Sequence, residues 1–402
     1  MKKVAIVGIG VGKDTITLGA LEAIQGAGVL IGAQRMLDAV SGLGIGEPKC
    51  LYPRYTPEDV ADAVAAEDAE RFAFLVSGDA GFYSAAAKIG DALRGYDLRI
   101  IPGVSTVNAF FAKWKLPWQE AAFFSAHGRV GDITAYVRRN HLTFCLTGNN
   151  VRVMGAALDQ AGLGHVKTYV GENLGDERER VYETFAGCLA EGEYPSLTVL
   201  LFENEGYDER TPIGLPDSRF SRLAGVPMTK SETRAIIMAK LALRPSSICW
   251  DVGAGSGSVT VEMALGAYRG HVYAVERREE AIPLIGQNCA SFHVGNVSVI
   301  CGEAPEVLEA LPVPDAVFIG GSGGGIGDII QVAWEKNPGA RVVVTAVTPE
   351  TVSLVLTAFK SAGAEPEITQ INAARGKQAG GLHLMEAQNP VTILCAGGTP
   401  WA

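Results

Sequence analysis

No apolar run in this sequence reaches the roughly 18 uninterrupted residues of a membrane span, so a bilayer crossing is not expected. The start offers no secretory leader either: Val4 to Val11 follows Lys2-Lys3, but Gly8, Gly10, Gly12, Lys13 and Asp14 break the run, which reads as a first strand in a cytoplasmic chain. The 7 cysteines are odd in number and contain no C-x-x-C pair, which excludes a disulfide framework and leaves no zinc-ligand spacing. Reduced, mostly structural thiols and no metal are expected. Basic charge is outweighed, with a formal net charge of −10, so a general nucleic-acid binder is excluded. Local arginines can still receive an anionic small molecule.

What is present is apolar and glycine-rich: 48% hydrophobic residues, 19% charged and 49 glycines in 402 residues. That length holds two or three domains, and the glycines suit the many strand-to-helix turns of α/β folds. Short apolar runs separated by helical patterns occupy residues 1–204: Lys3 to Gly10, Gly28 to Ile31, Phe72 to Ser77, Leu98 to Ile101, Ala121 to Ser125, Leu142 to Leu146, Lys167 to Val170 and Leu197 to Phe202. Residues 205–227 are punctuated by Gly206, Pro212, Gly214, Pro216, Gly225 and Pro227 and read as a linker. A helix is expected over Ser231 to Leu243, with Ser231 as cap and Ala235, Ile236, Met238, Ala239 and Leu243 as its buried face.

Residues 228–402 continue with strands at Ile248, Gly270 to Val275, Val297 to Ile300, Ala316 to Ile319, Arg341 to Val347, Glu367 to Ile371 and Val391 to Ala396. This predicts a doubly wound sheet. The last two strands have no helical pattern between them, so they should close as an antiparallel hairpin.

The chemistry-bearing stretch is Asp251-Val252-Gly253-Ala254-Gly255-Ser256-Gly257-Ser258, an apolar strand running into alternating glycines and then a helix. Such a turn lets a ligand approach the backbone beside free helix N–H groups. A dinucleotide fingerprint is G-x-G-x-x-G, whereas this spacing is G-x-G-x-G and suits S-adenosylmethionine. Glu276, ending the next strand, could hold ribose hydroxyls in either case. Asp251 could approach the methionine ammonium or brace the loop. The first glycine loop, Val7 to Asp14, fails as a P-loop, because Val7 and Asp14 stand where Walker A needs Gly and Ser or Thr.

Val7 to Asp14, Ser77-Gly78-Asp79, Pro102 to Thr106, His127-Gly128-Arg129 and Glu172-Asn173-Leu174-Gly175, in this order, resemble the tetrapyrrole methylase family. The resemblance implies two small α/β subdomains with S-adenosylmethionine between them, lined by Asp79, Ser105, Thr106 and Gly148. Pro227-Met228-Thr229-Lys230, the Asp251 to Ser258 loop, Gly302-Glu303-Ala304-Pro305 and Ala316 to Gly324 resemble the decarboxylating precorrin methyltransferases.

The expected architecture is therefore a tetrapyrrole methylase domain (1–204) for C5 methylation, the linker, and a Rossmann-like methyltransferase domain (228–402) for C15 methylation and decarboxylation of the C12 acetate. One S-adenosylmethionine per domain, a precorrin-6B-type substrate and a homo-oligomer are implied. Thr229, Asp251, Gly253, Ala254, Gly255, Ser256, Gly257, Glu276 and Ala304 should form the second cofactor site, Thr229 by resemblance alone. Val11, Gly81 and Glu303 depart from the family pattern, which commonly has Pro, Leu and Asp there.

Precorrins are rich in carboxylates, which makes Arg129 and Arg375 candidate substrate contacts, with surface solvation as the alternative. His127 could move a proton or serve structurally. The Gly320 to Gly325 loop could cradle an anion or form a surface turn. Two rival functions remain open at this point: an NAD-dependent reductase, and a non-enzymatic sensor of S-adenosylmethionine or a corrinoid.

Overall fold

The computed structural model describes residues 1–41, 43, 50–126, 132–321 and 324–398. The chain divides into two compact units, Met1–Arg129 with Asn140–Gly206, and Val130–Arg139 with Tyr207–Ala402.

The first unit contains two five-stranded sheets. In one, β1 (Lys3–Gly8), β2 (Val29–Gly32), β3 (Cys50–Tyr52), β4 (Arg71–Val76) and β5 (Asp97–Ile101) lie in the order β3-β2-β4-β1-β5, every pair parallel. Successive residues of a strand face opposite ways, so Ile6, Phe72 and Phe74 enter one core while Val7, Ala73 and Leu75 enter the other. Both faces of the inner strands β1, β2 and β4 are covered, which is why they read as apolar runs. In the other sheet, β6 (Ala122–Ser125), β7 (Leu142–Leu146), β8 (Lys167–Glu172), β9 (Arg180–Phe185) and β10 (Thr198–Glu203) lie in the order β6-β7-β10-β8-β9, with only β6 and β7 parallel. β3 and β9 were not expected from the sequence. Both are edge strands; β3 is 3 residues long and β9 exposes Arg180, Val181, Glu183 and Phe185, so neither carries a buried run.

The second unit is built on a seven-stranded sheet, order β13-β12-β11-β14-β15-β19-β16. Its strands are β11 (Ile248–Val252), β12 (His271–Glu276), β13 (Val297–Cys301), β14 (Ala316–Ile319), β15 (Arg341–Ala346), β16 (Glu367–Ile371) and β19 (Val391–Ala396). β11 to β15 are parallel and β19 runs antiparallel to both β15 and β16, the expected terminal pairing. Between β16 and β19 the chain adds a separate hairpin, β17 (Ala374–Ala379) with β18 (Leu382–Ala387). Trp250, Val317, Val342 and Leu394 fill one side of the large sheet, and Cys249, Phe318, Val343 and Ile393 the other.

One expectation changes. The helix forms over Ser231–Leu241, but it buries Thr233, Arg234, Ile237, Met238 and Leu241, so of the expected face only Met238 is fully buried. Lys230, not Ser231, is its cap residue. The reason is Arg234, a charged side chain at 0% exposure, which a hydrophobic pattern places in solvent. Within the stretch read as a linker, Phe220 is buried against Ala254, Val261 and Ile285, and Ser221 exchanges hydrogen bonds with the buried Asn288.

Candidate functional site

In the second unit a cavity of about 290 Å³ opens at the carboxyl ends of β11 to β14, where the neighbouring strands β11 and β14 are followed by strands on opposite sides, β12 beside β11 and β15 beside β14. That is the topological switch point, the place where open α/β sheets bind ligands. Thr229, Gly253, Ala254, Gly255, Ser256, Glu276 and Ala304, all predicted from the sequence, line it together. Gly253, Gly255 and Gly257 have φ of 75°, 55° and 74°, a left-handed run in which glycine carries no Cβ penalty. At Gly253 space is also closed: a Cβ there would lie 2.3 Å from the Gly321 carbonyl oxygen. Gly257 is the cap residue of the helix Ser258–Gly266 and is not among the lining residues.

Glu276 is buried, with one oxygen accepting from Gly255 N at 2.8 Å and the other from Arg278 N at 3.0 Å. A carboxylate has about four acceptor positions, so it retains capacity for ligand hydroxyls. Asp251 stands behind the cavity wall, fully buried, with its Oδ2 accepting from Thr260 Oγ1 in the following helix. Burial pushes its carboxyl up to about 7, Thr260 hydrogen bonds oppose the rise, and the Glu276 charge adds to it. Among the described residues, Asp251 Oδ1 and Ser256 Oγ are buried with no hydrogen-bond partner, and of the two Ser256 lines the cavity.

Sequence reasoning missed Pro227, Ser258, Arg277, Arg278 and Phe318 in this lining and named Glu303 only as a departure from the family pattern. The arginines were legible by adjacency, since they follow Glu276 directly. Glu303 meets Arg277 at 3.2 Å, both exposed. The Gly320 N–H donates to the Val252 carbonyl at 2.9 Å, while Ser322 and Gly323 lie outside the described residues.

Arg375, offered as a substrate contact, is engaged elsewhere: it makes a bidentate pair with Glu232 at 2.5 and 3.0 Å and an ion pair with Asp217 at 2.8 Å. Two carboxylates already neutralise it. Burial would raise the Asp217 carboxyl, but hydrogen bonds from Arg375 and Arg234 outweigh that and hold it below the usual carboxylate range.

In the first unit the motifs converge at the carboxyl ends of β4, β1 and β5. A Cβ at Gly103 would sit 2.2 Å from the Gly78 oxygen and 2.6 Å from the Gly8 oxygen, so these glycines permit the backbones to touch. Asp79 joins two of the motifs, accepting from Gly81 N at 2.8 Å and Gly103 N at 3.0 Å. Ser105 caps the helix Thr106–Trp114 and lies with Thr106 beside Gly78. Gly12 and Gly175 are in equally close contact, which brings the Val7 to Asp14 loop to the loop after β8. Gly148, φ 57°, lies just past β7. Despite Gly81, the Asp79 turn is closed by that residue's own N–H. His127 and Arg129 lie outside the described residues.

No metal was expected; among the described residues one group, His141, Glu203 and Glu205, brings possible ligand atoms within 4.8 Å, and Glu203 already accepts from Tyr169. No helix among the described residues is long and apolar enough to cross a membrane.

Residues 3–190 match the tetrapyrrole (corrin/porphyrin) methylases, and residues 223–396 the precorrin methyltransferase domain. A Sinorhizobium precorrin-6Y C(5,15)-methyltransferase, decarboxylating, is 31% identical over 399 residues, covering 96% of this chain and 94% of the relative. A probable cobalt-precorrin-6B C(15)-methyltransferase (decarboxylating) from Pyrobaculum calidifontis is 43% identical over 185 residues, 46% of this chain and 95% of the relative. A solved precorrin-6Y C5,15-methyltransferase from Geobacter metallireducens has 34% identity, covers 46% of this chain and 97% of that one, and gives a TM-score of 0.44.

Proposed function

The chain belongs to the decarboxylating precorrin-6Y C5,15-methyltransferases, and from that premise we propose how its two units divide the reaction. It is an S-adenosylmethionine-dependent C-methyltransferase with decarboxylase activity, acting in cobalamin biosynthesis. The first unit methylates C5 of the precorrin; the second methylates C15 and removes the carboxyl of the C12 acetate. Each unit binds its own S-adenosylmethionine. The observation that carries this reading is the cavity at Gly253 to Ser256, walled by Glu276 and lined by Ser256, whose buried Oγ has no partner.

Bound there, S-adenosylmethionine supplies a methyl group on a sulfonium that departs as a neutral thioether, so the transfer needs no acid from the protein. The chain's task is placement, which carries most of the rate in such displacements. Glu276, fixed by Gly255 and Arg278, is assigned to the ribose hydroxyls. Glycine backbone at 253–257 admits the methionine part, with Ser256 Oγ as a polar contact. Thr229 closes the same wall, and Ala304 borders the adenine. Asp251 acts from behind, either through its unpartnered Oδ1 or by bracing the first turn of the helix through Thr260. In the first unit Asp79, Ser105, Thr106 and Gly148 line the other cofactor cleft. Decarboxylation breaks the bond from the acetate methylene to its carboxyl and releases carbon dioxide. The conjugated macrocycle, with a ring nitrogen protonated or hydrogen-bonded, accepts the electron pair, a proton then completes the methyl group, and the chain's part is to orient the acetate.

His127 and Arg129 remain proposed as substrate contacts, whereas Arg375 is proposed as a brace. Leu382 and Leu384 stand exposed on one face of β18, an apolar pair that supports association of like chains. The free cysteines suit the reducing cytoplasm, where we place the reaction.

Incubating the protein with precorrin-6B and methyl-labelled S-adenosylmethionine tests the reading: methyl incorporation at two positions with carbon dioxide release is expected. Cofactor binding with neither product would favour the sensor, and tight NAD binding without S-adenosylmethionine binding would favour the reductase.

A further inference from the structure

Residues 225–229 form a short strap along the cavity, contributing Pro227 and Thr229 to its wall, and an arginine fastens each end. At the first end Arg278 Nη1 donates to the Gly225 carbonyl at 2.9 Å. The same residue reaches Glu276 Oε1, through its backbone N at 3.0 Å and its Nε at 3.4 Å. One residue therefore touches both the strap and the carboxylate assigned to the ribose.

At the other end Arg234 Nη1 donates to the Thr229 carbonyl. Its Nε donates to Glu262 at 2.8 Å, Nη1 also donates to Asp217 at 2.9 Å, and Nη2 donates to the Leu215 carbonyl. Glu262 belongs to the helix that follows the glycine loop and is itself at 0% exposure, accepting in addition from Gly214 N at 2.9 Å and Leu215 N at 3.0 Å. Between the two pins the Pro227 carbonyl oxygen lies against the glycine loop, 3.0 Å from where a Gly255 Cβ would stand.

A buried guanidinium and two buried carboxylates are a poor way to gain stability compared with apolar packing. They do fix geometry, since five planar donors admit few arrangements of their acceptors. Here the acceptors are the strap, the stretch leading into it and the helix after the glycine loop, all of which border the cavity or its support.

We propose that Arg278 and Arg234 are positioning residues that hold strap 225–229 against the glycine loop, and so set the affinity of the second unit's cofactor site; this rests on the assignment of that cavity to S-adenosylmethionine. The strap touches the bound cofactor alike before and after methyl transfer, so its loss weakens binding more than it slows the saturated reaction. Arg278, at the cavity edge and partly exposed, is the residue to test, because Arg234→Ala would leave buried carboxylates unpaired and risk unfolding.

Arg278→Ala and Arg278→Lys are compared with the parent chain by calorimetric titration with S-adenosylhomocysteine and by C15-methylation kinetics. Arg234→Lys is the second variant. Arg278→Ala should raise KM for S-adenosylmethionine at C15 and weaken S-adenosylhomocysteine at one of two sites by about tenfold or more, the loss expected for a hydrogen bond from a charged donor. kcat should fall far less, C5 kinetics should be unchanged, and Arg278→Lys should recover part of the affinity. Arg234→Lys should show the same KM-weighted defect. Unchanged affinity and KM in the folded Arg278→Ala variant, or a fall in kcat with KM unaltered, would overturn the strap. A parent chain that binds no S-adenosylhomocysteine would instead overturn the cofactor assignment, so the two failures are distinguishable.

Discussion

Gly255 donates its backbone N–H to Glu276 Oε2 at 2.8 Å, tying the centre of one strand-end loop to the acid that ends the next strand. The bond makes the loop and the carboxylate one unit. Removing Glu276 therefore damages the site twice.

Glu276→Ala leaves the buried Gly255 N–H without its acceptor, at a cost of about 1–3 kcal/mol, and takes away the group assigned to the ribose. Denaturant unfolding should show that loss, and S-adenosylhomocysteine titration should lose one site. Glu276→Gln keeps an acceptor oxygen and should recover most of the stability but less of the affinity. Parental affinity in Glu276→Gln would show that the negative charge is immaterial.

Asp251 gives the second unit a pH signature. Burial holds its carboxyl at about 7 in the folded chain, against about 3.9 unfolded, so the native state keeps a proton that the unfolded state has released. Its contribution to stability is full below about pH 4 and is lost as pH rises through about 7. Melting temperatures of the ligand-free protein between pH 4 and 8 should fall less steeply in Asp251→Asn than in the parent. Parallel curves would refute the assignment.

Asp217 behaves oppositely. Its folded carboxyl is held below the unfolded value despite burial, through Arg375 and Arg234, so its contribution is present above about pH 4 and is lost as pH falls further. Asp217→Asn should reduce stability at neutral pH and flatten the acid limb of the pH profile. An acid limb identical to the parent's would contradict this.

Much of this architecture was legible because both faces of the parallel strands are buried, and such strands announce themselves as apolar runs. The cavity was legible for a related reason: at Gly253 and Gly255 the backbone needs left-handed φ, which few other residues supply. Arg234 was not legible. Its burial depends on Asp217 and Glu262, each far off in the chain, and no local pattern reports that they converge. The same network hid the packing of Asp217 and Leu215, which meet Arg234 from within the proline- and glycine-punctuated stretch. The hairpin β17–β18 escaped notice because it exposes both polar and apolar residues, so neither strand shows alternation.

Glycines at two positions should respond with opposite signs. Gly253→Ala meets both a φ of 75° and the Gly321 backbone at 2.3 Å, so it should destabilise the protein by more than about 1 kcal/mol and abolish C15 methylation. Gly327, inside the helix Ile326–Lys336, has nothing within 4 Å of an added Cβ, so Gly327→Ala should stabilise by about 0.5–1 kcal/mol. Thermal unfolding of the two variants reads both effects.

The central claim is that one chain carries two separate methyl-transfer sites, and Gly255→Arg tests it most directly. Gly255 lines the cavity, and its φ of 55° with the Pro227 oxygen 3.0 Å from a Cβ means that an arginine there strains the loop and crowds the cavity wall. With the variant shown to be folded, precorrin-6B and methyl-labelled S-adenosylmethionine should yield product methylated at C5 alone, with no C15 methylation and no carbon dioxide. Loss of C5 methylation together with the other two activities would contradict the account.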